Sequence, residues 1–586
     1  MKRLILTTLA FVMAICVEAA PALRGPFTIT QPDGTLLTVE QFGDEHHHWT
    51  ATSDGTLVVN TGHGCYVARI DEEGELEPSA LLAHEPALRK DAEAAAIRLQ
   101  KARRALFDEN GLQARRRAMS ISSSGRYLPH LGHPRVLVIL AAFQDLDFTV
   151  NQPKQAFEQY LCGQVQQDLG NQNTRNLYSV QQYFDACSHG LFVPQFDVVG
   201  PVKLPQTMAY YGGSNDSGTD DKFTTFCKDA TEAAKDQVSD WSVYDNDNDG
   251  YAELVCIIFA GYGQNQGGAN NTIWAKASAQ NIKVNDQLSI YRFNCSCELF
   301  IPQYPDFING SGVFLHEFSH CMGLPDLYMT LSSGYVNNQG MESWSLMDYG
   351  LYNSNGYAPC AYTAWEQEVM GWTEIASVSD NRQITGLKPL EEGGQAYKIV
   401  NPDDENDFIV LENIQQRGVN SAARGHGLLV YHVGYSKSTV SMSDSPNNRA
   451  GHPAVAVVPA GGTLINSYLR GNGKTYTTAE WSESIQSSTF PGTKEVTTLS
   501  DDIQLPNYCF YEGTSGTKAV NFLLNNITEE SSGDIAFYFG DPTAITPLQL
   551  KQPVTSDSPV FTLDGRRVAS PRKGINIIQG RKVVGK

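Results

Sequence analysis

Basic residues are scarce in this chain. Its 586 residues carry 43 Lys and Arg against 64 Asp and Glu, a formal charge of −21 at pH 7. A surface of that sign repels phosphate backbones and anionic headgroups, which excludes nucleic acid and an anionic membrane surface as partners. It suits a soluble protein with cation sites. C-x-x-C spacings are missing among the eleven cysteines, so no thiolate metal knuckle or dithiol redox centre is indicated. Cys295-Ser-Cys297 is too close for the usual mutual bridge, and the other spacings disclose no pairing. Beyond the N-terminus there is no apolar run long enough to span a bilayer. The run at the start, Leu4 to Cys16, follows Met1-Lys2-Arg3 and precedes the small-x-small site Val17-Glu18-Ala19. Residues 1–19 read as a secretory signal peptide, so the expected location is secreted or cell-surface. Losing Cys16 with it leaves an even number of cysteines, which permits disulfides in an exported chain.

What is present is organised around Val313-Phe-Leu-His-Glu-Phe-Ser-His-Cys-Met-Gly-Leu-Pro-Asp-Leu-Tyr328. On a helix, His316 and His320 lie one turn apart on one face, where both imidazoles can reach a single Zn²⁺. Glu317 projects beside them, placed to take a proton from a metal-activated water. Gly323 lets the backbone leave the helix and Pro325 prevents its resumption. Asp326 follows ten residues after the first histidine, where the metzincin pattern H-E-x-x-H-x-x-G-x-x-H puts its third ligand. Glu342 competes for that role at a spacing nearer the thermolysin-like arrangement. Its Asn- and Gly-containing surroundings argue for a loop, and Asp326 is favoured. Ser343-Trp-Ser-Leu-Met-Asp-Tyr-Gly350 is similar to the Met-turn beneath a metzincin metal. Met347 would be its apolar floor, and Tyr349 a hydrogen-bond donor to an oxyanion.

A second constellation is Asp245-Asn-Asp-Asn-Asp-Gly-Tyr-Ala-Glu253. Asp245, Asp247 and Asp249 alternate before a glycine, as in a calcium loop. The Tyr251 carbonyl and Glu253 would complete the oxygen shell of a structural Ca²⁺. The twelfth position, Cys256, cannot supply the EF-hand glutamate, so this is not a complete EF-hand.

In these motifs, residues 130 to 435 resemble the immune inhibitor A-like secreted metallopeptidases. The carrying residues are His316 to Tyr328, Trp344 to Tyr349 and Asp245 to Gly250. The resemblance implies a zinc endopeptidase made as a secreted zymogen and acting on protein or peptide substrates. The residues alone lead to a zinc hydrolase; the family supplies the word peptidase.

The rest of the chain fits around this centre. Residues 20–118 read as a propeptide: a β-rich unit to about 80, then a helical, basic segment ending at Arg115-Arg-Arg117 before the small polar stretch Ser120 to Gly125. Cys65 and nearby Asp and His residues are candidate blockers of the metal. The His46-His-His48 run beside Trp49 reads first as a solvated strand end and second as a metal or latency contact. Residues 130–375 form the expected α+β zincin or metzincin-like catalytic domain with its active-site helix. Pro134 to Phe143 is a buried central strand, Tyr178 to Cys187 a backing helix capped by Ser179, and Ser289 to Phe300 the cleft-edge strand that pairs with substrate. Residues 376–540 suggest a β-sandwich-like domain with no catalytic constellation. Residues 541–586 are basic and hairpin-like, similar to the C-terminal sorting signal of type IX secretion cargo, which makes the secretion machinery a partner. The rival functions are a zinc hydrolase of non-peptide amides or esters, and a non-catalytic adhesin on a zinc scaffold. An intact Glu317 opposes the adhesin, because a scaffold needs no general base.

Overall fold

The computed structural model describes residues 17–18, 22–23, 25–43, 48–71, 74–119, 126–163, 175–213, 220–305, 307–330, 338–435, 439–466, 476–513, 515–540, 560–562, 566–568, 573–578 and 581–585. The signal-peptide residues before 17 and the stretch 120–125 lie outside them. β1 is Val17–Glu18. The N-terminal unit is a meander of β2 (Phe27–Thr30), β3 (Leu36–Gly43), β4 (His48–Thr52), β5 (Leu57–Asn60), β6 (Cys65–Ile70) and β7 (Leu76–Leu82), each paired with the next. Alternating residues give the sheet two apolar faces. Phe42, Trp49, Val59 and Ile70 share one with Phe107; Leu37, Val39, Val58 and Cys65 share the other with Ile97. Phe107 and Ile97 come from α1 (Asp91–Met119), which is stitched on by Gln100. Its carboxamide accepts from Leu57 N at 2.9 Å and donates to Leu57 O and Ala68 O at 2.8 Å.

The next unit is built on β8 (Arg135–Ala142), β9 (Gln195–Lys203), β10 (Tyr251–Tyr262), β11 (Lys276–Lys283) and β12 (Ser289–Leu299), in the order β1-β11-β12-β10-β8-β9. β9, β8, β10 and β12 run parallel and β11 is antiparallel to β12. The run at 134–143 becomes the central strand β8, buried on both faces as a parallel strand must be. The edge assignment is corrected. Ser289 to Phe300 forms β12, paired on both sides and buried from Ile290 to Leu299, so it cannot receive a substrate strand. The edge is β11, and β1 adds to it antiparallel, Val17 opposite Ser278 and Glu18 opposite Ala277.

Helices cover both faces. One core collects α2 (Pro153–Cys162), α3 (Val180–Cys187) and α6 (Ser311–Cys321); the other collects α4 (Met208–Gly212) and α5 (Phe223–Ala234). Ser179 caps α3 in a capping box with Gln182, as its sequence suggested. α7 (Ala364–Met370) follows the turn that lies under α6.

Beyond it, β13 (Ala376–Ser377), β15 (Tyr397–Asn401), β16 (Asp404–Ile414), β17 (Gly427–Gly434) and β18 (Val455–Val457) form one sheet. β14 (Arg382–Leu387), β22 (Ile535–Phe539) and β21 (Leu524–Glu529) form another, and β19 (Phe510–Glu512) pairs β20 (Gly516–Lys518). Ile409, Leu411 and Val430 of the first sheet share a core with Ile384, Leu524 and Phe537 of the second. Helix α8 (Thr478–Gln486) lies on the other side. The apolar core does not break at residue 375: Leu315, Phe318 and Met347 share one cluster with Leu429, Tyr431, Val455 and Ile485. At the C-terminus, β23 (Val560–Thr562), β24 (Arg567–Val568), β25 (Gly574–Ile578) and β26 (Arg581–Gly585) make a small sheet whose last two strands are a hairpin.

Candidate metal centre

Helix α6 is buried at every residue. It can sit this deep because Gly312 faces the turn at 349–356; a Cβ there would stand 1.9 Å from the Leu351 carbonyl oxygen. Its end is set by Gly323, whose φ of +105° favours glycine and sends the chain back past the histidines.

The two rings are fixed from behind. Nδ1 of His316 lies 2.9 Å from the Leu346 carbonyl and Nδ1 of His320 2.8 Å from the Leu324 carbonyl. A carbonyl only accepts, so each Nδ1 carries the proton and each Nε2 of the neutral ring presents a lone pair. Those Nε2 atoms stand 3.1 Å apart, and Oδ1 of Asp326 lies 3.2 and 3.3 Å from them. All three side chains are buried. Burial pushes the His316 pKa below the usual histidine range, which keeps it in the neutral, ligating form. Three converging lone pairs with no proton between them repel unless a cation sits among them. Ligands about 2.0–2.1 Å from a tetrahedral zinc are about 3.3 Å from one another, which is the spacing seen. The residues fit the metal. Glu317, also buried, projects from the same helix.

The segment under the helix is held by its own polar groups. Ser345 Oγ accepts from Met347 N at 2.9 Å and donates to Glu366 at 2.6 Å. Asp348 accepts from Met341, Glu342 and Tyr349 N–H groups at 2.7–2.8 Å. Met347 is buried, and its carbonyl accepts from Leu327 N at 2.8 Å, beside the third donor. Glu342, the competing carboxylate, is absent from the cluster; it accepts from the Trp481 indole at 3.2 Å. Tyr349 packs edge-on against Trp481, ring centroids 5.4 Å apart, and against Tyr352 at 5.4 Å. Tyr352 belongs to none of the sequence motifs. Burial pushes its phenol well up, and the charges of Tyr349 and, less, Glu317 add to this. Its only sequence signal is its place three residues after Tyr349.

In the acidic loop, Asp245, Asp247 and Glu253 bring one carboxylate oxygen each within 4.8 Å of one another. Asp249 does not join them. Its oxygens accept from Arg126 at 2.7 Å and from Tyr251 N at 3.0 Å. Glu253 already accepts from Asn246 N and Nδ2, at 3.1 and 2.8 Å.

Cys65 is corrected as a metal blocker. It sits in the core of the N-terminal sheet, where burial pushes its thiol up to about 12. The N-terminal unit instead reaches the loop after β10 through amides and rings. Leu23 N donates to Asn265 O at 2.9 Å, Gln41 bridges Gln264 O and Gly267 N at 2.8 Å, and His48 lies over Trp274 at 4.4 Å. All ten described cysteines are free thiols, and Cys321 is buried and protonated, its pKa pushed up to about 12 by burial.

Residues 130–373 match the family model of the immune inhibitor A peptidase M6 catalytic domain. The resemblance carried by the helix and turn motifs is thereby shown over this segment, and the family is one of metallopeptidases. The chain is similar to Immune inhibitor A of Bacillus thuringiensis subsp. alesti, 23% identical over 296 residues, 43% of this chain and 42% of the relative. It is similar to the Pre-pro-metalloprotease PrtV of Vibrio cholerae serotype O1 (strain M66-2), 24% identical over 274 residues, 40% of this chain and 29% of that one. The chain thus spans less than half the length of the relatives it matches. No helix among the described residues is long and apolar enough to cross a membrane.

Proposed function

We propose that the protein is a secreted zinc endopeptidase, with His316, His320 and Asp326 holding the metal. The observation that carries this is the convergence of three unprotonated donor atoms at 3.1–3.3 Å on buried side chains, beside a glutamate on the same helix. When bound there, Zn²⁺ supplies Lewis acidity and lowers the pKa of a water to about 7. Glu317 takes the proton of the attacking water and returns it to the leaving amine. Leu346 and Leu324 carbonyls keep both imidazoles in the ligating tautomer. Tyr349, with Tyr352 beside it, donates to the oxygen that gains charge at the scissile carbonyl.

The family match supports the peptidase reading, and the PrtV relative's name, with its pre- and pro- segments, supports a zymogen. The latent form keeps residues 20–118, whose contacts to the loop at 264–274 obstruct an extended substrate. Residues 541–586 address the chain to the secretion machinery. A structural Ca²⁺ sits among Asp245, Asp247 and Glu253 with the Tyr251 carbonyl, while Asp249 braces the loop through Arg126.

The test is the ligand set. Asp326→Ala should lose zinc and proteolysis together, while Glu342→Ala keeps zinc at one per chain by elemental analysis. Zinc retained in Asp326→Ala and lost in Glu342→Ala would replace this centre with a thermolysin-like one.

A further inference from the structure

We infer that the β-rich region downstream of the family match completes the metal centre, with Asn447 as the positioning residue of Asp326. This rests on the reading of Asp326 as a metal ligand. Asp326 lies on an irregular segment, Gly323 to Thr330, and no helix or strand fixes its place. Three anchors do. The first two are internal to the catalytic unit: His320 Nδ1 holds the Leu324 carbonyl, and Met347 O holds Leu327 N. The third comes from beyond residue 375. Asn447 Nδ2 donates to Leu327 O at 2.6 Å, on the residue after the ligand.

Asn447 is fully buried and its carboxamide is fully used. The second N–H goes to Val455 O at 2.8 Å and Oδ1 accepts from Val455 N at 3.0 Å, which locks the side chain to the start of β18. A carboxamide with every group committed has one orientation, so the Leu327 carbonyl has one place. The neighbours repeat the pattern. Thr330 N donates to Asn448 Oδ1 at 2.9 Å, and Asn448 Nδ2 donates to Thr330 Oγ1 at 2.5 Å. Asn338 Nδ2 donates to Asn447 O at 2.8 Å, and Val457 N to Gly340 O at 3.2 Å. Gly340 closes the packing: a Cβ there would lie 2.3 Å from Leu327 O and 3.3 Å from Asn447 Nδ2. Groups hydrogen-bonded to a metal ligand itself typically change the affinity by about 10–100-fold when lost, which sets the ceiling for a contact to the next residue's carbonyl.

The test uses the full chain and Zn²⁺ alone, with affinity measured by competition against a chromogenic chelator. Asn447→Asp keeps the size and the acceptor for Val455 N but offers no N–H to Leu327 O. It should weaken zinc binding about tenfold, the low end of that range, and the rise in Tm that zinc produces should shrink accordingly. A merely structural role would lower the Tm of the metal-free protein and leave the zinc Kd within twofold; that result overturns the inference. If Asn447→Asp does not fold, Asn448→Ala at the outer end of the loop decides: a several-fold weaker Kd supports positioning, and an unchanged Kd refutes it. Asp326→Ala in parallel separates the two layers. If the parent binds zinc, Asp326→Ala does not, and Asn447→Asp binds like the parent, the metal centre stands and only the positioning role falls. If the parent itself binds no zinc through Asp326, both fall.

Discussion

Glu412 gives the fold a dependence on pH that can be worked out from its surroundings. It lies on β16, buried, where its carboxyl accepts from Ala364 N at 3.1–3.2 Å at the start of α7. Burial, with Glu391 and Glu366 adding their charge, pushes its pKa from 4.5 up to about 8, against hydrogen bonds from Ala364 and Tyr431 that hold it down. Between those values the native protein holds a proton that the unfolded chain has released. Stability therefore falls as pH rises from about 4.5 and levels off above about 8. The gap from 4.5 to about 8, at about 1.4 kcal/mol per pH unit, bounds the loss at roughly 5 kcal/mol. Glu412→Gln keeps an oxygen for Ala364 N and cannot ionise. Urea unfolding of both proteins at pH 5.5 and 8.5 reads the effect, because titrating groups not coupled to Glu412 cancel in the difference. The parent should lose a few kcal/mol more than the variant across that range. Parallel losses would show that Glu412 titrates normally and that the core around α7 is wetter than its packing implies.

Two further outcomes are expected. Calcium removal should lower Tm, and Asp247→Ala should abolish most of that response while Asp249→Ala, whose oxygens are engaged by Arg126 and Tyr251 N, should abolish less; a melting curve indifferent to calcium disposes of the site. Protein trimmed of residues 20–118 should cleave a peptide library much faster than the longer form, and equal specific activities would rule out latency by the N-terminal unit.

The sequence was informative wherever chemistry needs fixed local spacing. His316 and His320 are a helical turn apart, so one motif sufficed to put both on one face. Gly323 and Pro325 marked where the helix ends, and Asp326 is where the returning chain comes back to the rings. The central strand β8 was legible from an unbroken apolar run, and the α3 cap from Ser179. What stayed hidden depends on long-range pairing. β12 reads as a strand, but only the partners on both its sides show that it is interior and that β11 is the edge. Asn447, 121 residues beyond Asp326, carries no local sign that its amide meets Leu327. Asp249 matches its two neighbours in the loop by sequence, and only the fold brings Arg126, distant in sequence, onto it. No gap in the core marks residue 375, because Phe318 and Leu429 pack in one cluster that composition alone could not join.

The central claim is that one buried metal site hydrolyses peptide bonds with Glu317 as the proton carrier. Glu317→Gln, in the activated protein, separates metal binding from chemistry in a single variant. About one zinc per chain is expected by elemental analysis, as in the parent, with proteolysis lowered by at least about a hundredfold. Parental proteolysis by a zinc-loaded Glu317→Gln would contradict it.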